Sequence, residues 1–154
     1  VTGEVWFYHL VASPLEQALP ELLERALGRG LKVLLRTAGA ARIAPLDGML
    51  WTFRDDSFLP HGTAAGDRPE RQPVLLTAGP GNANGAEILV LVDGARLDTA
   101  EAAGFMRTLL VFNGNDPGEV SGARAAWAML KAAGHPAVYW SQEGGRWTEK
   151  ARIG

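Results

Sequence analysis

Six short, almost uninterrupted apolar runs recur along this chain, and the segments between them carry polar or helix-patterned residues. That alternation constrains the fold more than any other feature. Val5–Val11 (Val-Trp-Phe-Tyr-His-Leu-Val) is rich in β-branched and aromatic residues and has no polar face. A strand of this kind is buried on both sides, as in a parallel sheet covered by helices. Leu31–Arg36, Val74–Thr77, Ile88–Val92, Phe105–Phe112 and Ala137–Gln142 read in the same way. Strands alternating with helices predict an α/β domain of three layers, with a mostly parallel central sheet and helices on both faces.

The helices are written with their punctuation. Leu15, Ala18, Leu19, Leu22, Leu23, Ala26 and Leu27 form a 3.6-residue stripe that ends at Gly28 and Gly30. Ser13 is expected to cap this helix in a capping box with Glu16, and Pro20 to bend it or split off its first turn. Ala38–Trp51 reads as a second helix, weakened by Gly39, Pro45 and Gly48. Thr52–Pro73 reads as loop. Pro117–Ala133 reads as a third helix, with Asp116 as its N-cap and Gly134 as its C-cap. The chain is expected to be one domain over residues 1–154, with Glu143–Gly154 as a partly mobile tail.

Composition removes several classes of function. There is no cysteine, so disulfides, thiolate catalysis and cysteine-zinc sites are excluded. A net charge of -2 and a pI near 5.9 give no global basic field for nucleic acid. No apolar run approaches the roughly 20 residues of a membrane span. The first residues lack the pattern of a signal peptide, and a cytoplasmic protein is expected.

No catalytic constellation stands out. The glycine-rich run Gly79–Gly85 fits neither the dinucleotide fingerprint nor the phosphate-loop motif. His9, His61 and His135 lack the helical spacing of metal pairs. Asp55-Asp56 and Asp93-Gly94 read as turns, and Ser57 with His61 lacks a nucleophile elbow. No cofactor or metal is expected. A small α/β nucleotide-binding or hydrolytic enzyme with a degenerate site remains the alternative reading.

The segment Leu50–Gly62 sets Trp51, Phe53 and Phe58 among polar and helix-stopping residues. Such aromatics either cap a core or form an exposed apolar patch. Its Leu50-Trp51 pair and Ser57-Phe58-x-Pro60-His61 resemble the chi subunit family of bacterial DNA polymerase III. The resemblance runs along nearly the whole chain. It includes Phe7-Tyr8-x-Leu10, Gly30–Leu35, Leu46-Asp47-x-x-Leu50-Trp51, Pro73-Val74 and Ile88-Leu89. It continues through Phe112-Asn113-Gly114-Asn115-Asp116 and Ala123-Arg124-x-x-Trp127 to the stop at Gly134.

The resemblance implies a non-catalytic accessory subunit of the replicative polymerase complex, a DNA-directed DNA polymerase. It would link the clamp-loader assembly to single-stranded DNA-binding protein and meet nucleic acid only indirectly. Two partners are implied: the psi subunit, at Trp51 and Phe58, and the acidic C-terminal tail of single-stranded DNA-binding protein, which ends in an apolar residue with a free carboxylate. The implied receptor for the tail is the helix face of Arg124, Trp127 and Lys131. Two basic positions of the family fall on Val120 and Ala128 here, departures expected to weaken binding or to shift charge recruitment to Arg107 or Lys131. Read without the resemblance, Trp127 is a core residue and Arg124 a solvated charge.

Overall fold

The computed structural model describes residues 3–11, 13–52, 60–66, 68–143 and 146–154. The strands are β1 (Glu4–Leu10), β2 (Val33–Arg36), β3 (Gly62–Thr63), β4 (Val74–Thr77), β5 (Ile88–Leu91), β6 (Arg107–Asn113), β7 (Ala137–Glu143) and β8 (Arg146–Ile153). The helices are α1 (Leu15–Gly28), α2 (Ile43–Thr52), α3 (Thr99–Ala102) and α4 (Pro117–Ala133). The strands form one sheet in the order β3-β4-β2-β5-β6-β1-β7-β8. Every neighbouring pair is parallel except β7 with β8. The expected three-layer α/β class, mostly parallel with helices on both faces, is the observed one.

Side chains alternate across the sheet and build two cores. On one face Tyr8, Val33, Leu35, Val90, Leu109 and Val111 pack against Leu19, Leu22 and Leu23 of α1 and Leu46 and Leu50 of α2. On the other, Phe7, Leu34, Leu89, Leu110 and Phe112 pack against Ala102 of α3 and Ala123, Ala126 and Leu130 of α4. Burial on both faces explains why these strands read as continuous apolar runs.

Helix α4 keeps its expected bounds. The Asp116 carboxylate accepts from the amides of Gly118 and Glu119, Pro117 stands in the first turn, and Gly134 closes the helix at φ +66°. The start of α1 differs from expectation. Pro14 takes the cap position without a side-chain bond, and the Ser13 hydroxyl instead accepts from Nε2 of Gln142 on β7. Pro20 lies buried inside α1, which runs on as one helix.

Three elements go beyond the sequence reading. The stretch expected to be loop contains β3, paired to β4. Residues 99–102 form α3, whose cap Asp98 accepts from the amides of Ala100 and Glu101. Residues 146–153, expected to belong to a mobile tail, form β8, which pairs with β7 along its length.

The glycine-rich segment between β4 and β5 is a built turn. Arg36 donates to the carbonyl of Gly81 at 3.1 Å. Asn82 bridges to both backbone groups of Ala86, and buried Asn84 donates to the carbonyls of Val33 and Gln72. Buried Asn84 thus ties the turn to β2, while exposed Asn82 closes it internally. Asp93 is likewise a turn residue, at φ +50°, and accepts from Nε of Arg42 at 3.0 Å.

Candidate interaction surfaces

Helix α4 lies on the sheet with Ala123, Ala126 and Leu130 facing inward. Arg124 and Lys131 project to solvent, and Trp127 is half-buried between them. The indole of Trp127 meets two rings of the sheet edge-on: Phe7 at 5.3 Å and Tyr139 at 5.8 Å between centroids. It thus does part of the work of a core residue while keeping an open edge. Spacings of three and four residues put Arg124, Trp127 and Lys131 on one helix face.

The sheet adds residues that the sequence did not reveal. His9 of β1 stacks on Phe112 of β6 at 4.8 Å, and its Nδ1 lies 2.8 Å from the Tyr139 hydroxyl. Burial, helped by the positive charge of Arg124, holds the His9 pKa below the usual 6.5. Burial also pushes the Tyr139 hydroxyl up, opposed by Arg124. The positive charge of Arg124 thus disfavours the charged imidazolium of His9 and favours the ionised form of Tyr139. The result is an aromatic floor of Trp127, Tyr139 and His9 with a solvent-facing cation beside it. Val120 packs against the core on this side and Ala128 is exposed, so neither supplies charge.

Arg107 does not join this cluster. It opens β6 and shares the sheet face of Leu109 and Val111, opposite α4. Its guanidinium carbon lies 3.8 Å from the ring centroid of Trp6, a cation–π contact. The expectation that Arg107 could take up charge missing from the α4 site is therefore corrected. Period-two alternation along β6 separates it from Leu110 and Phe112, which face α4.

The second surface lies at the end of α2. Trp51 is 51% exposed, and its ring lies against that of buried His61 at 4.5 Å. His61 Nε2 is 3.1 Å from a carboxylate oxygen of Asp47, which fixes the imidazole beneath the indole. Trp51 thus stands out on a rigid support. Phe58, like Asp55, Asp56 and Ser57, lies outside the described residues.

The sequence profile described as DNA polymerase III chi subunit, HolC matches residues 3–138, most of the chain. The chain belongs to that family. A DNA polymerase III subunit chi from Pseudomonas aeruginosa is 36% identical over 90 residues, 58% of this chain and 58% of that protein. A probable DNA polymerase III subunit chi from Rickettsia prowazekii is 28% identical over 85 residues, 55% of this chain and 52% of that protein. The chain thus spans little more than half the length of these curated relatives. Among the described residues no group of three or more His, Asp or Glu side chains could hold a metal ion. None of their helices is long and apolar enough to cross a membrane.

Proposed function

We propose that this chain is a non-catalytic accessory subunit of the replicative DNA polymerase III, linking the clamp-loader assembly to single-stranded DNA-binding protein. The observation that carries the reading is the α4 face, where exposed Arg124 stands beside the half-buried ring of Trp127. An acidic peptide ending in an apolar residue needs an apolar seat and a cation for its terminal carboxylate. A guanidinium holds a carboxylate through two parallel hydrogen bonds, which lysine cannot copy. In this reading Arg124 takes the carboxylate, Trp127 and Tyr139 wall the apolar seat, and Lys131 attracts the acidic residues upstream. That last attraction is exposed and hence screened by salt.

Trp51 is the anchor proposed for the psi subunit, together with Phe58. An exposed aromatic on a rigid base is the kind of residue that dominates interfaces, and its truncation costs on the order of 2 kcal/mol or more. The cytoplasm is the proposed compartment.

The test is a titration of the full chain with the tail peptide of single-stranded DNA-binding protein and, separately, with psi. Arg124→Ala should weaken the peptide by about ten- to a hundredfold, the loss of roughly 1.5–3 kcal/mol of charge-assisted bonding, and leave psi binding unchanged. Trp51→Ala should do the reverse. If both variants bind both partners as the wild type does, the assignment of these surfaces is wrong.

A further inference from the structure

On the face of the sheet opposite α4, beside α1, the strip from β1 to β8 carries rings where a sealed core would carry aliphatic side chains. Trp6 and Trp140 lie 5.3 Å apart, Tyr8 and Trp147 4.9 Å, and Trp6 and Tyr8 6.4 Å between centroids. Three strands, β1, β7 and β8, contribute them. All three indoles are only half-buried. They line an open cavity of about 650 Å³, which shares Trp6, Tyr8 and Arg25 with a neighbouring smaller one of about 130 Å³.

The charge along this groove has one dominant sign. Arg25 of α1 lines both cavities, Arg29 and Arg107 the smaller and Arg146 the larger; among the described residues Glu21 is the lining carboxylate, and Glu4 adds a second at the Trp6 ring N–H. Burial pushes the Tyr8 hydroxyl up to about 12, with Arg25 and Arg107 opposing, so both guanidinium charges reach the aromatic floor. In a chain of net charge -2 this is a local concentration of positive charge.

We propose that this groove binds single-stranded nucleic acid directly, bases against the indoles and phosphates along the arginines. The occupant follows from what the groove offers. Trp6 gives its ring N–H to Glu4 and already holds the Arg107 guanidinium 3.8 Å from its ring centroid, so stacking on a base falls to the half-buried indoles of Trp140 and Trp147. Every base has a π face to match, and stacking on an aromatic side chain is tolerant of sequence. Arginines lining both cavities suit a backbone with one charge per nucleotide. A duplex keeps its bases stacked inside and has no use for the rings. An acidic peptide would use the arginines and leave most of the aromatic surface uncovered. The inference goes beyond the proposed adaptor role and departs from the expectation that nucleic acid is met only through protein partners.

The test uses the full chain and an oligothymidylate of roughly 15 nucleotides, a length within the range of one such binding groove. Binding is read by quenching of tryptophan fluorescence and by anisotropy of the labelled oligonucleotide, at several salt concentrations. The wild type should bind and be quenched. The double variant Arg25→Glu/Arg146→Glu changes two exposed side chains and should fold normally, as circular dichroism will check. It should bind at least tenfold more weakly. Its plot of log affinity against log salt should be shallower by about 1.4, for two lost phosphate contacts at about 0.7 each. Trp147→Ala should weaken binding with the salt slope unchanged. Absence of oligonucleotide binding by the wild type would overturn the proposal, as would equal affinity of the variants. Equal binding of a duplex of the same length would reduce the groove to plain phosphate attraction. Displacement of the oligonucleotide by an acidic peptide ending in phenylalanine would make it a peptide site instead.

Discussion

The hydroxyl of Tyr139 and Nδ1 of His9 lie 2.8 Å apart, joining two strands 130 residues distant in sequence directly beneath the helix that carries Arg124. This pair turns a helix face into a floored site, and its electrostatics give a direct handle on Arg124. His9 has a folded-state pKa below its ordinary 6.5, through burial first and the Arg124 charge second. The fold therefore favours the neutral imidazole. That contribution to stability is complete above about 6.5, the unfolded value, and is lost as pH falls through the lower folded value. Arg124→Gln should move the His9 pKa back toward 6.5, as followed by the NMR titration of its ring proton, and should reduce the acid sensitivity contributed by His9. An unchanged His9 titration would mean that Arg124 does not sit over this floor.

Gly114 closes the same region from behind. A Cβ at this position would collide with the His9 ring and lie 2.7 Å from the carbonyl oxygen of Leu10. Gly114→Ala should therefore cost about 1–3 kcal/mol, the usual range for overpacking, and should displace His9 from Phe112. Thermal unfolding together with the His9 chemical shift checks both parts. A variant of wild-type stability would show that the loop after β6 has room to move.

A third relationship concerns the turn that resembled a phosphate loop in composition. Arg36, buried at the end of β2, donates to Glu101 of α3 and to the carbonyl of Gly81. Removing the carboxylate leaves a largely buried guanidinium without its counter-charge. Glu101→Ala should cost about 2–3 kcal/mol, less than for a fully sealed pair because Glu101 keeps some contact with water. Denaturant unfolding measures this. A loss below about 0.5 kcal/mol would place the pair among ordinary surface bridges.

Much of the fold was legible because the signals were local. Helix α4 carries its own start and stop in Asp116, Pro117 and Gly134, and the sheet strands announce themselves by apolar runs that only double-sided burial explains. What escaped depends on tertiary partners. Ser13 has the chemistry of a helix cap, yet its hydroxyl is engaged by Gln142 from a strand more than a hundred residues away. Strand β8 is polar along most of its length and reads as a tail until β7 supplies its ladder. The adjacent Gly144-Gly145 between two strand-compatible runs was a hairpin signal in the sequence.

The same division holds for the candidate site. Arg124, Trp127 and Lys131 share a helix face by spacing alone, so sequence could group them. His9 and Tyr139 could not be grouped with them, because the parallel pairing of β1 with β7 brings them together. Arg107 was misplaced for the same reason: which face a strand residue occupies depends on a register that sequence does not print.

The most direct measurement of the central claim is an NMR titration of the full chain with the tail peptide of single-stranded DNA-binding protein, at low and moderate salt. The account predicts saturable shifts centred on Arg124, Trp127, Tyr139 and His9, weaker and more salt-sensitive shifts at Lys131, and none at Trp51. Arg124→Ala should need about ten- to a hundredfold more peptide for the same shifts, while its spectrum otherwise stays that of the folded protein. Shifts confined to the groove of Trp6 and Arg107, or an Arg124→Ala variant that titrates like the wild type, would contradict it.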